Sequence, residues 1–252
     1  MISQATVSEL TQPEPSLLKR SLNYGKTVSQ FATIQVIVQA IGFWSGILLV
    51  HLLSTREYAY FTIANTMQGT LNVLADIGIS VGVVSIGGKV WQDRDRFGQL
   101  INTALQLRRW LGAASILVVT PVLYFMLVRN GAPPIYSSLL ILLLLLGLGL
   151  QLSIGVLSAV PRLYSNIRLI QGLDFVGMIA RLALILGLSL VFLNAGIALC
   201  IGSVTLLLQY WILHRYVRKA INLRAPVSEE DRGAMLGFIR KLAANAAFYC
   251  FQ

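Results

Sequence analysis

The sequence predicts an all-α membrane protein: six transmembrane helices forming one lobe, plus the start of a seventh. Three observations carry the prediction. The 252 residues are 56% hydrophobic and only 12% charged, with a mean hydropathy of +0.72. A soluble domain runs at about 45–50% apolar and about 25% charged. The apolar residues gather into runs of the roughly 20 residues that a bilayer crossing needs. The basic residues collect in alternate connections between those runs.

Taken in order, residues 1–30 form a mostly polar N-terminal arm. It is not a signal peptide, because the first apolar run, Phe31 to Leu53, has no small-residue cleavage site after it. That run is long enough to span. The six predicted spans cover 31–53, 58–86, 108–128, 137–160, 167–193 and 195–215, making a lobe over 31–215. Residues 216–232, with Pro226 and the acidic run SEED, read as a linker. Residues 233–252 turn apolar again and open the seventh helix. Three connections are short: Ser54–Glu57, Arg129–Ile135 and Leu193–Ala195. Short connections favour antiparallel neighbours, so three helical hairpins are expected. The stretch WQDRDRFGQLINTALQLRRW is expected to lie at the interface before the third span enters the bilayer.

The charge of +10 follows this topology. The arm carries Lys19, Arg20 and Lys26. The second connection and the foot of the third span carry Lys89, Arg94, Arg96, Arg108 and Arg109. Arg162 and Arg168 lie in the fourth connection, and seven more lie after the sixth span. Seventeen basic residues therefore fall on one side, against Arg56 and Arg129 on the other, with Arg181 inside a span. Positive connections stay in the cytoplasm, which puts the N-terminus there. A charge placed to set topology argues against nucleic acid as a partner; membrane lipids are the expected surroundings.

Polar groups inside a bilayer are costly and face a bundle interior or a wet cavity. In the second span Asn65, Gly69, Asn72, Asp76 and Ser80 fall on one helical face, with Gln68 beside it. Amides and an acid together exceed what packing needs, so this face is expected to wall a cavity. Gln35, Gln39, Gly42 and Gly46 make a similar stripe on the first span, which reads as helix–helix contact or as a second wall. Asp174 and Arg181 in the fifth span are seven residues apart, about 10 Å along the axis. That is too far for a direct ion pair, and Asp76 is one partner available to Arg181. Either the two line a hydrated path for a charged substrate or coupling cation, or Asp174 sits at the interface and Arg181 snorkels. The fourth and sixth spans carry few polar groups and are expected to face lipid.

The chemistry of an enzyme is not legible. His51 and His214 sit at opposite ends, Cys200 and Cys250 are scattered, and no nucleophile motif, zinc pair or phosphate loop occurs. No metal or cofactor is implied, and the chain is read as a non-enzyme.

Two stretches resemble the polysaccharide flippases of the multidrug, oligosaccharidyl-lipid and polysaccharide exporter superfamily. In residues 52–89 a Leu53-Ser54 turn is followed by Tyr58 and later by Asp76-Ile77-Gly78-Ile79, with Ala59 where the family usually has glycine. Residues 175–219, with the short Asn194-Ala195-Gly196 turn, are similar to that family's fifth and sixth helices. The resemblance covers about a third of the chain. It implies the N-terminal half of a two-lobe transporter in the bacterial plasma membrane, with a second lobe across a central cavity. It further implies a lipid-linked oligosaccharide as substrate and movement by alternating access. A proton or sodium ion would be the coupling cation, and Asp76, Asp174 and Arg181 the charged groups of the pathway. A drug exporter of the same superfamily and a non-transporting membrane assembly subunit are the alternative expectations.

Overall fold

A computed structural model describes residues 17–189, 193–223 and 225–250, with the side chains of 32–188, 193–223 and 225–242. The first sixteen residues of the predicted arm, and residues 190–192 at the end of the fifth predicted span, lie outside the described residues. All regular structure among the described residues is helical: α1 (Leu17–Leu52), α2 (Thr55–Asp76), α3 (Ile79–Val90), α4 (Arg94–Arg129), α5 (Pro134–Leu157), α6 (Ala159–Leu163), α7 (Ile167–Ser189), α8 (Ala195–Ala220) and α9 (Glu229–Cys250). Five stretches are long and apolar enough to cross a membrane, and a sixth arises if α2 and α3 count as one bent span. The chain is an all-α membrane protein.

Local chemistry sets the helix ends. Ser54 caps α2 by accepting a hydrogen bond from the Glu57 amide, and Asp93 caps α4 by accepting from Asp95 and Arg96. Asn194 caps α8 by accepting from the Ile197 amide. The second predicted span is not one helix. It breaks at Ile77–Gly78 and turns by 44° into α3. Gly78 sits at φ +72°, the left-handed region that suits glycine.

The expected hairpins form only in part. α4 packs on α5 and α7 on α8, but α1 barely touches α2 and lies against α7 instead. The stretch expected at the interface is the first part of α4, a continuous 36-residue helix about 54 Å long. The linker docks onto it. Asn102 Nδ2 donates to the carbonyls of Leu223 and Ala225, Asn222 Nδ2 to Asp95 Oδ1, and Arg94 to the Lys219 and Ala220 carbonyls. Arg96 reaches Glu230 at 3.0 Å and Asp231 at 3.2 Å. The acidic run therefore opens α9, with the Ser228 hydroxyl accepting from the Asp231 amide, rather than floating between bundles.

The interior divides in two. One apolar cluster gathers Leu49, Tyr60, Leu71, Leu127, Leu144 and Ile201 at the end where α5 and α8 begin. The other gathers Ile79, Phe97, Leu100, Val160, Leu213 and Met235 at the basic end. Polar side chains lie between them.

Candidate functional site

The polar layer is built from the ends of apolar helical turns. Ala75 belongs to the first apolar cluster and Ile79 to the second, so Asp76 falls between them, on the last residue of α2. Leu107 of α4 belongs to the second cluster, and Arg108 follows it. Arg108 Nη1 lies 3.3 Å from Asp76 Oδ1, and its side chain is only 4% exposed. Arg108 Nη2 donates to Asn72 Oδ1 at 3.1 Å. Ser80, on the first turn of α3, donates to Asp76 Oδ1 at 2.7 Å across the break. The guanidinium rests on Gly155 of α5, where a Cβ would collide with it.

This corrects two expectations. Asp76 partners Arg108, not Arg181. Arg108 is not part of the basic foot but a buried cation, because one turn of α4 carries it inward while Arg109 stays outside. The count at the basic end falls to sixteen, with two arginines inside.

Two adjoining cavities meet at this layer and share Gln151 and Gln209. The larger, about 410 Å³, lies among α2, α5, α7 and α8, and is lined by Asn65, Gln68, Gln151, Arg181, Ser203 and Gln209. The smaller, about 240 Å³, holds Asn72, Arg108, Ser158, Arg162, Asp174 and Gln209. Gln68 Nε2 donates to Gln151 Oε1 at 3.0 Å, joining α2 to α5. Gln209 Nε2 donates to the Leu173 carbonyl at 3.1 Å and sits over Gly177, joining α8 to α7. Arg181 has no hydrogen bond or ion pair among the described residues, yet its side chain lines the larger cavity.

The predicted site residues therefore separate. Asn65 and Arg181 share the larger cavity, and Asn72 and Asp174 the smaller, with Asp76 beside them in the ion pair. Gln35 and Gln39 are exposed on α1 and line neither cavity. A Cβ at Gly42 would meet only Met178 of α7, at 3.9 Å.

The fourth and sixth predicted spans, α5 and α8, do not simply face lipid. They pack on one another more extensively than any other helix pair and supply both shared glutamines. Only their far flanks, with Leu142, Leu146, Leu207 and Trp211, are exposed apolar surface. A signal was present: Gly147, Gln151 and Gly155 recur every four residues, a single amide between two gaps on one face of α5.

A second polar cluster closes the opposite end. Glu57 Oε2 accepts from the Tyr136 hydroxyl at 2.7 Å and from the Ala195 amide at 2.8 Å, and the Tyr136 oxygen accepts from the Gly196 amide at 3.3 Å. One carboxylate thus ties the first turns of α2, α5 and α8, where the helix dipoles favour a negative charge.

The fold and site together define a helical membrane protein with open cavities among its helices that carry polar and charged side chains. Compared with family models, curated proteins and solved structures, the chain matches none.

Proposed function

We propose that the chain is one lobe of a bacterial plasma-membrane transporter that carries a lipid-linked oligosaccharide from one leaflet to the other by alternating access. The observation that supports this best is Arg181. A cation without a hydrogen bond or ion pair among the described residues, placed in a 410 Å³ cavity among amides and hydroxyls, is arranged to receive an anion. A diphosphate presents paired oxygens to the guanidinium fork, and sugar hydroxyls suit Asn65, Gln68 and Gln209. Asp174, exposed at the smaller cavity and outside the Arg108 pair, is the carboxylate best placed for a coupling proton or sodium ion. The resemblance at residues 52–89 and 175–219 points to the same substrate class. A drug-exporter reading is favoured less, because among the described residues Phe61 is the one aromatic side chain lining the larger cavity.

The test is translocation of a fluorescent lipid-diphosphate oligosaccharide in vesicles containing the complete transporter. Loss of flipping in Arg181→Ala, with normal insertion, supports the reading. Unchanged flipping sinks the role given to Arg181.

A further inference from the structure

Arg109 points away from Arg108 and out of the bundle, into a separate pocket of about 170 Å³. α5 lies under this pocket with Ser153. α4 supplies Asn102 and Arg109, α8 supplies Tyr210 and His214, and Leu223 of the docked linker borders it. No carboxylate lines it. Arg109 has no hydrogen bond or ion pair among the described residues. The His214 ring is stacked on Tyr210 with centroids 5.4 Å apart, which holds the imidazole at the pocket wall.

Depth identifies the setting. Arg109 lies twenty residues from Arg129, and Ser153 and His214 each nineteen residues from Pro134 and Ala195. At 1.5 Å per residue all three stand about 30 Å from the far end of their helices, one hydrocarbon thickness. Trp110 and Trp211 flank the pocket at 69% and 59% exposure, as tryptophans do where hydrocarbon meets headgroups. Above it, toward the other leaflet, the flank is apolar and open: Leu117, Leu146, Val204 and Leu207 are all exposed. On the next turn of α8, Arg215 lies over Trp211 at 5.5 Å, outside the pocket.

We propose that this pocket is a binding site for the phosphate headgroup of an anionic phospholipid in the leaflet at the basic end. The phosphate sits against Arg109 and His214, and the acyl chains run up the exposed apolar flank. A basic recess between spanning helices at headgroup depth is the arrangement that recognises acidic lipids. The site faces away from the transport cavity, so the inference stands independently of the proposed substrate.

The experiment is native mass spectrometry of the full chain, released from bilayers of phosphatidylglycerol and phosphatidylcholine in equal parts. The wild type is expected to retain phosphatidylglycerol in preference to phosphatidylcholine. Arg109→Gln lowers that retention by about fivefold, the scale of one basic side chain at an anionic surface, and His214→Ala lowers it further. Arg215→Gln, off the pocket, retains the lipid. Equal retention of the two lipids, no loss in Arg109→Gln, or an equal loss in Arg215→Gln each overturns the proposal. Displacement of the lipid by millimolar inorganic phosphate would show a free-anion site instead, and overturns it too.

Discussion

Arg108 and Asp76 meet at 3.3 Å where the second apolar span breaks, and the arginine brings almost no water with it. The carboxylate is 32% exposed, so the pair is buried from one side only. Asn72 accepts from Arg108 and Ser80 donates to Asp76, one from each half of the broken span, while Arg108 Nε has no hydrogen-bond partner among the described residues. The break and the ion pair explain each other. A helix ending at Asp76 frees the carboxylate to face α4, and the charge placed there needs a cation.

Asp76→Asn is expected to destabilise the protein by about 3 kcal/mol, because it leaves Arg108 buried without its counter-charge. Asp76→Asn with Arg108→Met is expected to recover most of that loss, since no unpaired charge remains. Unfolding in mixed micelles measures both. A single variant as stable as the wild type would mean that water already screens the pair.

Gly78→Ala is expected to cost more than Gly82→Ala, although both face α9. At Gly78 a Cβ would stand 3.1 Å from the Phe238 backbone and require a left-handed conformation worth about 1–2 kcal/mol. At Gly82 it would meet Met235 Cγ at 3.4 Å, an ordinary contact. The same unfolding measurement ranks the two, and equal stability would show that α9 does not hold the break.

Much of this was legible in the residues. Runs of apolar side chains located the five spanning helices and the region of the bent α2–α3 pair, because length and polarity largely decide whether a segment enters a bilayer. Asp76 and Asn72 stood out because polar residues at helical spacing survive small errors in boundaries, although the stripe breaks before Ser80. Arg108 was misplaced because an arginine at a span's foot looks like a topology signal; only the packing of α4 shows that it turns inward. Gln209 was missed because one amide in an apolar run carries no period, and Gln151 because its periodic neighbours, Gly147 and Gly155, are apolar gaps rather than polar groups. The pairing of α1 with α7 depends on tertiary contacts that short connections do not specify.

Glu57→Ala is expected to lose about 2 kcal/mol, since two donors would face an empty site: the Tyr136 hydroxyl and the Ala195 amide. Tyr136→Phe removes one of those bonds and is expected to cost less. The double variant should cost clearly less than the sum, because the residues share one hydrogen bond. A double-mutant cycle by unfolding reads the coupling, and strict additivity would mean that the 2.7 Å contact contributes nothing.

Arg181 and Arg108 are predicted to behave oppositely. Arg108 holds a structural ion pair, so Arg108→Ala should unfold the lobe more readily while leaving Asp76 partly hydrated. Arg181 has no hydrogen bond or ion pair among the described residues, so Arg181→Ala should leave stability unchanged or raise it, because an unpaired charge in a bilayer is a cost that its removal relieves. Under the proposed function, transport should respond the other way. Losing a guanidinium that meets a diphosphate costs about 2 kcal/mol or more, roughly a thirtyfold drop in flipping. Arg181→Lys should restore only part of it, because an ammonium replaces the charge but not the fork. Measuring stability and translocation on the same samples separates the cases. A stable Arg181→Ala that no longer flips substrate marks a binding cation. An unstable one would mean that the arginine supports the fold, and that the cavity's positive charge serves packing rather than cargo.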